Sequence, residues 1–451
     1  MKSSQLLLAA LAAIFPVSAL AVPVVFPTGV TIYDPKLAYN SYVVFGGTDH
    51  KTHLIDMNGN EVHRWDFAGF PSVLLDPQLS GGQQGHVLVQ LSTDERAGAG
   101  VVPNMPAEFR NRTVGELDWD GKTVWEWGEQ APNGAARQHH DWHRLANGNT
   151  LLLANSLHPV AGFKLPKILD DVIYEVAPEG RIVWQWAASE HLDEIGFTPE
   201  QLALVRASTS PDYFHVNDMT PLGPNRWFDS GDKRFDPENI MVDSRNANFI
   251  AIIDKKSGKI VWTLGPNFAS TAKPGSNVPR AVDQISGQHD AHLIEPGLPG
   301  AGNLLVFDNQ GEGGYPPAPL GINSGSRILE IDPEKKEIVW QYTAENSGRP
   351  GWTFYSSFIS SARRLPNGNT LVDEGMNGRF FQITPQGKIV WEYVSPFFAT
   401  SPVGATTSFP VLSNWVYRAQ PVPYEWAPAG TPHSEIPVTQ PNLEAFRVSP
   451  H

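Results

Sequence analysis

The chain contains no cysteine in 451 residues, so no disulfide supports it and its fold must hold by packing alone. Positive charge is the minority: 33 Lys and Arg stand against 47 Asp and Glu, a net charge of −14. That balance argues against a nucleic-acid partner, and no run of like charges suggests a binding tail. Beyond the first 21 residues no apolar stretch is long enough to cross a bilayer as a helix. What the sequence has in plenty is Gly (40), Pro (39) and Trp (14). Such a composition favours many turns over long helices, and a large closed architecture over a small stapled one.

The N-terminus reads MKSSQLLLAALAAIFPVSALAVP. Lys2, the apolar stretch from Leu6 to Phe15 and the small residues of Ala19-Leu20-Ala21 form the three parts of a secretory signal. No cysteine follows to carry a lipid, so no membrane anchor is expected. The expectation is a periplasmic or secreted protein with residues 1–21 removed.

Six copies of one unit follow. Each is an alternating apolar run, a tight turn and a second alternating run: LIDMNGNEVHRW ending at Trp65, LDWDGKTVWEW through Trp125, YEVAPEGRIVWQW through Trp184, IIDKKSGKIVWTLG through Trp262, LEIDPEKKEIVWQY through Trp340, and FQITPQGKIVWEY through Trp391. A second hairpin signal precedes several copies, as in HRLANGNTLLLA at 143–154 and RRLPNGNTLVDE at 363–374, where Asn-Gly sits between apolar runs. Two hairpins per repeat make four strands, and six repeats predict an all-β, six-bladed β-propeller over residues 22–400. The registered tryptophans are read as wedges between blades. Residues 188–208 have helical spacing and a Pro-Glu start, which predicts a short helical insertion. Residues 401–451 are Pro-rich and are expected to form an extended strap packed on the propeller.

Three histidines occupy one place in three successive repeats: His140 in HHDWH, His215 in YFHVND and His289 in QHDAH. They precede the ending tryptophan of their repeats by 44, 47 and 51 residues, which places each at the entrance of an innermost strand, facing the axis. Asp141, Asp218 and Asp290 accompany them, and His143 and His292 follow the first and third by three residues. An imidazole cluster of this kind supports nucleophilic and acid–base chemistry. It also supports a metal site with His140, His215 and His289 as candidate ligands.

Several segments resemble the bacterial aryl-sulfate sulfotransferase family: PTGVTIYDPKLAYNSYVVFGG, the HHD before an NGN turn, FHVND leading to SRNANFIAIIDKKSGKIVWTLG, and QHDAH leading to LLVFDNQG. The resemblance covers about Pro27 to Pro396. It implies a periplasmic six-bladed propeller that moves a sulfuryl group between phenols through a sulfohistidine, with no cofactor, and it implies active-site roles for His215 and His289. Two departures stand out. Where the family carries its nucleophilic histidine, this chain reads Gly351-Trp352-Thr353-Phe354-Tyr355-Ser356, with Trp352 in its place. An arginine expected after Phe-Asp-Asn is missing near Gly313, while Arg327 in the next strand is kept.

The leading expectation is sulfuryl transfer on small aromatic compounds. His289 or His140 would act as nucleophile, His215 and Arg327 would stabilise the sulfuryl oxygens, and Tyr355, Trp352, Asn217 and His292 would contact the substrate. The alternatives are a metal-dependent lyase, hydrolase or oxygenase with a divalent ion at the same histidines, and a non-catalytic binding propeller.

Overall fold

The computed structural model describes residues 26–93, 111–268, 280–319, 323–401 and 411–440. The expected signal segment, 1–21, lies outside the described residues, as do 402–410 and 441–451 of the expected strap. Six small antiparallel sheets form a ring, a six-bladed β-propeller. Alternating sequence with tight Gly turns produces them. Each turn residue that must adopt a left-handed backbone is glycine in the outer hairpins of the second and third blades, at Gly121 (φ 78°) and Gly180 (φ 88°).

The third and fourth blades show the plain pattern. In the third, Gln138–Arg144, Thr150–His158, Ile168–Val176 and Ile182–Ala187 run in order from the axis outward. In the fourth, Val216–Pro221, Ile240–Ser244, Phe249–Ile253 and Ile260–Leu264 do the same. The core lies between blades, not within one. Leu151, Leu153 and Ile173 of the third blade share a fully buried cluster with Ile240, Val242 and Ile253 of the fourth. The helical insertion is present as Pro199–Arg206, capped by Thr198 and Gln201.

Closure uses both ends of the chain. Gly29–Tyr33 adds a fifth, outer strand to the last blade by pairing with Ile389–Val394. From the other end, Ala419–Val422 enters the first blade as its innermost strand, beside Tyr42–Gly46. The segment expected as a strap laid on a propeller that ends at residue 400 therefore also supplies a strand of that propeller. Its alternation, Ala-Gln-Pro-Val, is too short and proline-broken to read as a strand without its partner.

The register of the wedge residues differs from the sequence expectation in one blade. Trp125, Trp184, Trp262, Trp340 and Trp391 donate their indole N–H to carbonyls in the turn of the neighbouring blade: Pro178 (3.2 Å), Lys255 (3.0 Å), Pro333 (2.9 Å), Pro385 (3.0 Å) and Met57 (2.7 Å). In the first blade the equivalent residue is His63, whose Nε2 meets the Trp119 carbonyl at 2.8 Å. Trp65 lies two residues further on, at the register of Trp127 and Trp186. Both indole and imidazole offer a flat ring with an edge N–H, so either can fill the wedge and satisfy the carbonyl. The last bond, Trp391 to Met57, joins the sixth blade to the first.

Trp391 is fully buried, while the Trp340 ring is partly exposed. Replacing Trp391 by Phe leaves a void and an unpaired turn carbonyl and should cost about 2–3 kcal/mol, against about 1 kcal/mol for Trp340→Phe. Denaturant unfolding of the two variants checks this, and equal losses would contradict it.

Candidate functional site

The inner strands start irregularly. His140 (φ 59°), His215 (φ 51°) and Asp290 (φ 60°) adopt left-handed backbone; His140 and Asp290 sit within register shifts of their strands, and His215 immediately precedes a strand whose shift falls at Asn217. Such bulges re-aim side chains and recur beside functional sites. Here they turn the three predicted histidines toward one end of the axis.

His140 and His215 meet edge to face, with ring centroids 4.6 Å apart. His139 lies behind them, its Nδ1 2.8 Å from Nδ1 of His140. His215 Nδ1 is bound to the Asp212 carboxylate at 2.5 Å. His289 is held differently. Its Nδ1 is 2.8 Å from Asn309 Oδ1 and 2.9 Å from the Gly287 carbonyl, while its Nε2 accepts the Ile359 N–H at 3.0 Å. Those partners fix a neutral ring with both nitrogens engaged.

The electrostatics separate the rings further. Burial first, then the charges of His215, His139, His289 and Arg245, hold His140 well below the usual histidine range. Burial and Arg245 do the same to His289, and burial with His215 lowers His139 to about 3. Burial works against the Asp212 carboxylate, but His215, His139 and Arg245 more than offset it and keep it below its ordinary value. Arg245 itself is largely buried, which lowers it, while Asp212 and Glu312 pull the other way. Among the described residues it makes no ion pair within 4 Å, and its buried Nε has no hydrogen-bond partner. The absence of an arginine at Gly313 itself has a steric reason. A Cβ on Gly313 would meet both the Arg245 carbonyl and Asn248 Oδ1 at 2.4 Å, so only glycine fits there.

On the axis beneath the histidines stands Arg418, from the returning C-terminal segment. Its guanidinium reaches Asp141 (2.9 Å), Asp218 (2.8 Å) and Asp290 (3.2 Å), one from each of three successive inner strands. Arg363 also binds Asp290. Although burial opposes it, Arg418 and His143 hold Asp141 far below the carboxylate range. Burial and the Asp141 charge push Asp218 up despite Arg418. Tyr417, next to Arg418, lies edge-on to His140 (5.4 Å) and His289 (6.4 Å) and donates its hydroxyl to the Asn217 carbonyl.

The remaining predicted residues disperse. Arg327 is buried in ion pairs with Asp308 (2.7 Å) and Asp283 (2.9 Å), in the body of the fifth blade. Asn217 is fully buried and donates to the Gln288 carbonyl at 3.0 Å, a tie between two inner strands. His292 points its Nδ1 at the Asp290 carbonyl (2.8 Å) and lies past Arg418, toward the other end of the channel. Trp352 is 75% exposed on the short turn Gly351–Thr353, and Tyr355 is exposed beside it. Besides Tyr417, Phe70 adjoins the histidines, and Trp415 and Phe358 continue the aromatic contacts outward from it; all three are half-buried. Phe70 packs on His140 (4.9 Å), Tyr417 (4.1 Å) and Trp415 (6.3 Å), and Phe358 lies 6.3 Å from Trp415. Among the described residues, no three His, Asp or Glu side chains are arranged to hold a metal ion, and the hydrogen-bonded His289 does not fit the predicted ligand set.

The sequence reading missed Asp212, Arg245, Tyr417 and Arg418. Asp212 had a signal, an acid three residues before the registered His215. The aspartates near the three histidines, Asp141, Asp218 and Asp290, were visible in the sequence, but nothing in it pointed to Arg418 as their common partner.

Residues 54–396 match the family model described as Arylsulfotransferase (ASST). The chain belongs to that family. No curated protein matches it. Among solved structures, similar chains include a protein of unknown function from Bacteroides caccae, 12% identical over 85% of this chain and 99% of that one, with a TM-score of 0.45. Virginiamycin B lyase from Staphylococcus aureus is 11% identical over 82% and 84%, at 0.35. A streptogramin B lyase is 15% identical over 69% and 66%, at 0.34.

Arg418→Met leaves the buried Asp141 and Asp218 without the arginine that joins them, while Asp290 keeps Arg363, and should cost about 3–5 kcal/mol at pH 7. The depressed Asp141 contributes stability that is present above the unfolded value near 4 and is lost as the pH falls below it. The gap between wild type and variant should therefore shrink below about pH 4. Unfolding curves at pH 7 and pH 3.5 measure it.

Proposed function

We propose that this protein transfers sulfuryl groups between phenolic compounds, with His215 as the nucleophile in place of the histidine replaced by Trp352. The observation that carries this reading is the Asp212–His215 hydrogen bond, set beside an arginine with no ion-pair partner among the described residues. Family membership supports the reaction class, and the N-terminal leader supports a periplasmic or secreted site of action.

A carboxylate on Nδ1 orients the ring, directs Nε2 away from itself and stabilises the positive charge that develops on attack. In the first half-reaction, Nε2 attacks the sulfur of an aryl sulfate. An N–S bond forms, the aryl S–O bond breaks, and its electron pair leaves on the phenolate oxygen. In the second, the oxygen of an acceptor phenol attacks the same sulfur, the N–S pair returns to His215, and the phenolic proton goes to solvent. No cofactor enters either step. The sulfuryl oxygens gain negative charge as the aryl bond breaks, and Arg245 is the cation suited to them. His140 packs against His215 and remains neutral, so it adds no repulsion to a developing imidazolium. Phe70, Phe358 and Trp415 offer flat apolar faces for the aryl ring. Burial of His289 in hydrogen bonds on both nitrogens makes it a positioning residue for the Ile359 backbone rather than a nucleophile.

Incubation with 4-nitrophenyl sulfate and an acceptor phenol tests this. Nitrophenol release should be abolished by His215→Ala. It should fall by roughly 10²–10³ in Arg245→Gln and by roughly 10³–10⁴ in Asp212→Asn. Wild type should carry a sulfuryl group on His215 by peptide mass. No release by wild type, or full activity in His215→Ala, would overturn the reading.

A further inference from the structure

Past Arg418 the axis opens again into a cleft of about 360 Å3 at the end away from the histidine cluster. Its lining comes from the exits of the inner strands: His143 and Arg144 after Asp141, His292 after Asp290, and Arg363 and Arg364 of the sixth blade. Because Arg418 and its three carboxyls fill the axis between, the two ends of the channel are separate compartments.

The lower compartment has the makings of a ligand site. Its volume lies in the range of small-molecule pockets, and its wall is apolar, from Leu75, Leu79, Leu298 and Trp426. Its polar groups are donors in excess of acceptors. Arg144 and Arg364 stand at matching places in the third and sixth blades. Each stacks over a tryptophan at 5.1 Å (Trp125 and Trp340). Each gives Nη2 to a glutamate, Glu116 at 2.7 Å and Glu330 at 2.6 Å. Both side chains are more than nine-tenths buried, and both Nε atoms lack a partner. The buried Nε2 of His143 also makes no hydrogen bond, lying 3.4 Å from Asp141. Arg363, about a quarter exposed, adds an accessible donor edge. Unsatisfied buried donors are costly, and a ligand oxygen is one way to satisfy them. Asp76 and Glu295 also line the cleft and oppose a multiply charged anion.

We infer that this distal cleft is a second binding site, independent of the chemistry at His215, for a small molecule with a ring-sized apolar body and a single carboxylate head, an aromatic carboxylate being the simplest case. The head would accept from Arg363 and its neighbours, and the ring would pack on Leu298 and Trp426.

Fluorine NMR titration of the full-length protein with 4-fluorobenzoate tests it. Saturable binding is expected in wild type and equally in His215→Ala. Leu298→Trp, which fills the cleft, and Arg363→Met, which removes the donor, should each weaken it by roughly tenfold or more. Thermal melts identify a variant that fails to fold, and if Leu298→Trp does so, Arg363→Met decides. Absence of saturation at millimolar concentration overturns the proposal. So does binding that is lost in His215→Ala and kept in Leu298→Trp, which would move it to the histidine end. Equal binding of 4-fluorobenzyl alcohol would overturn the carboxylate assignment. None of these outcomes depends on sulfuryl transfer, so the two readings fail separately.

Discussion

One guanidinium sets the geometry of the whole axis. Arg418 reaches Asp141, Asp218 and Asp290, and those aspartates belong to the inner strands of three successive blades. A buried cation in this position is stable only while its carboxyls are close, and each carboxyl is tolerable only while the cation is there. The arrangement therefore fixes how far the inner strands stand from the axis. It also couples ring closure to the site, because Arg418 immediately precedes the strand Ala419–Val422 that completes the first blade. The same short segment carries Tyr417 against His140 and His289 and Trp415 toward the mouth. Docking of that strand and assembly of the axial site are one event.

Around this centre the blades are joined by repetition of a weaker interaction. A ring N–H crosses from each blade to a turn carbonyl of the next, from His63, Trp125, Trp184, Trp262, Trp340 and Trp391. No single one of these bonds contributes much. Their common register, with apolar clusters between facing sheets, lets a chain without cysteine form a closed ring. A closed ring with a rigid axis can then hold strained entries such as His140 and His215 at positive φ.

Much of the fold was legible because it rests on local, repeated signals. Period-2 alternation and Asn-Gly or Lys-containing turns gave the hairpins, and their count gave six blades. The short helix was readable from its Pro-Glu start and helical spacing. The first blade's wedge is His63 and not Trp65, because an imidazole offers a similar flat ring and edge N–H while giving no tryptophan signal in the sequence. The inner strand at Ala419–Val422 was illegible as a strand: four residues with a proline acquire that identity only by pairing with Tyr42–Gly46 some 375 residues earlier in the chain.

The candidate site divides along the same line. His140, His215 and His289 were singled out from sequence by their similar places in successive repeats, and in the structure His140 and His215 lie 4.6 Å apart with Tyr417 beside both His140 and His289. Their chemical characters did not follow, since those depend on neighbours distant in the chain. Asn309 and the Ile359 N–H engage both nitrogens of His289. Asp212 orients His215. Arg327 resembled an active-site cation in sequence, yet its partners Asp308 and Asp283 occupy it elsewhere, while Arg245 stands beside the histidines. The sequence by itself determined six blades and their order, because periodicity is local information. Only the tertiary structure decided which charges meet across the axis, because contact between blades depends on closure of the ring and not on any motif.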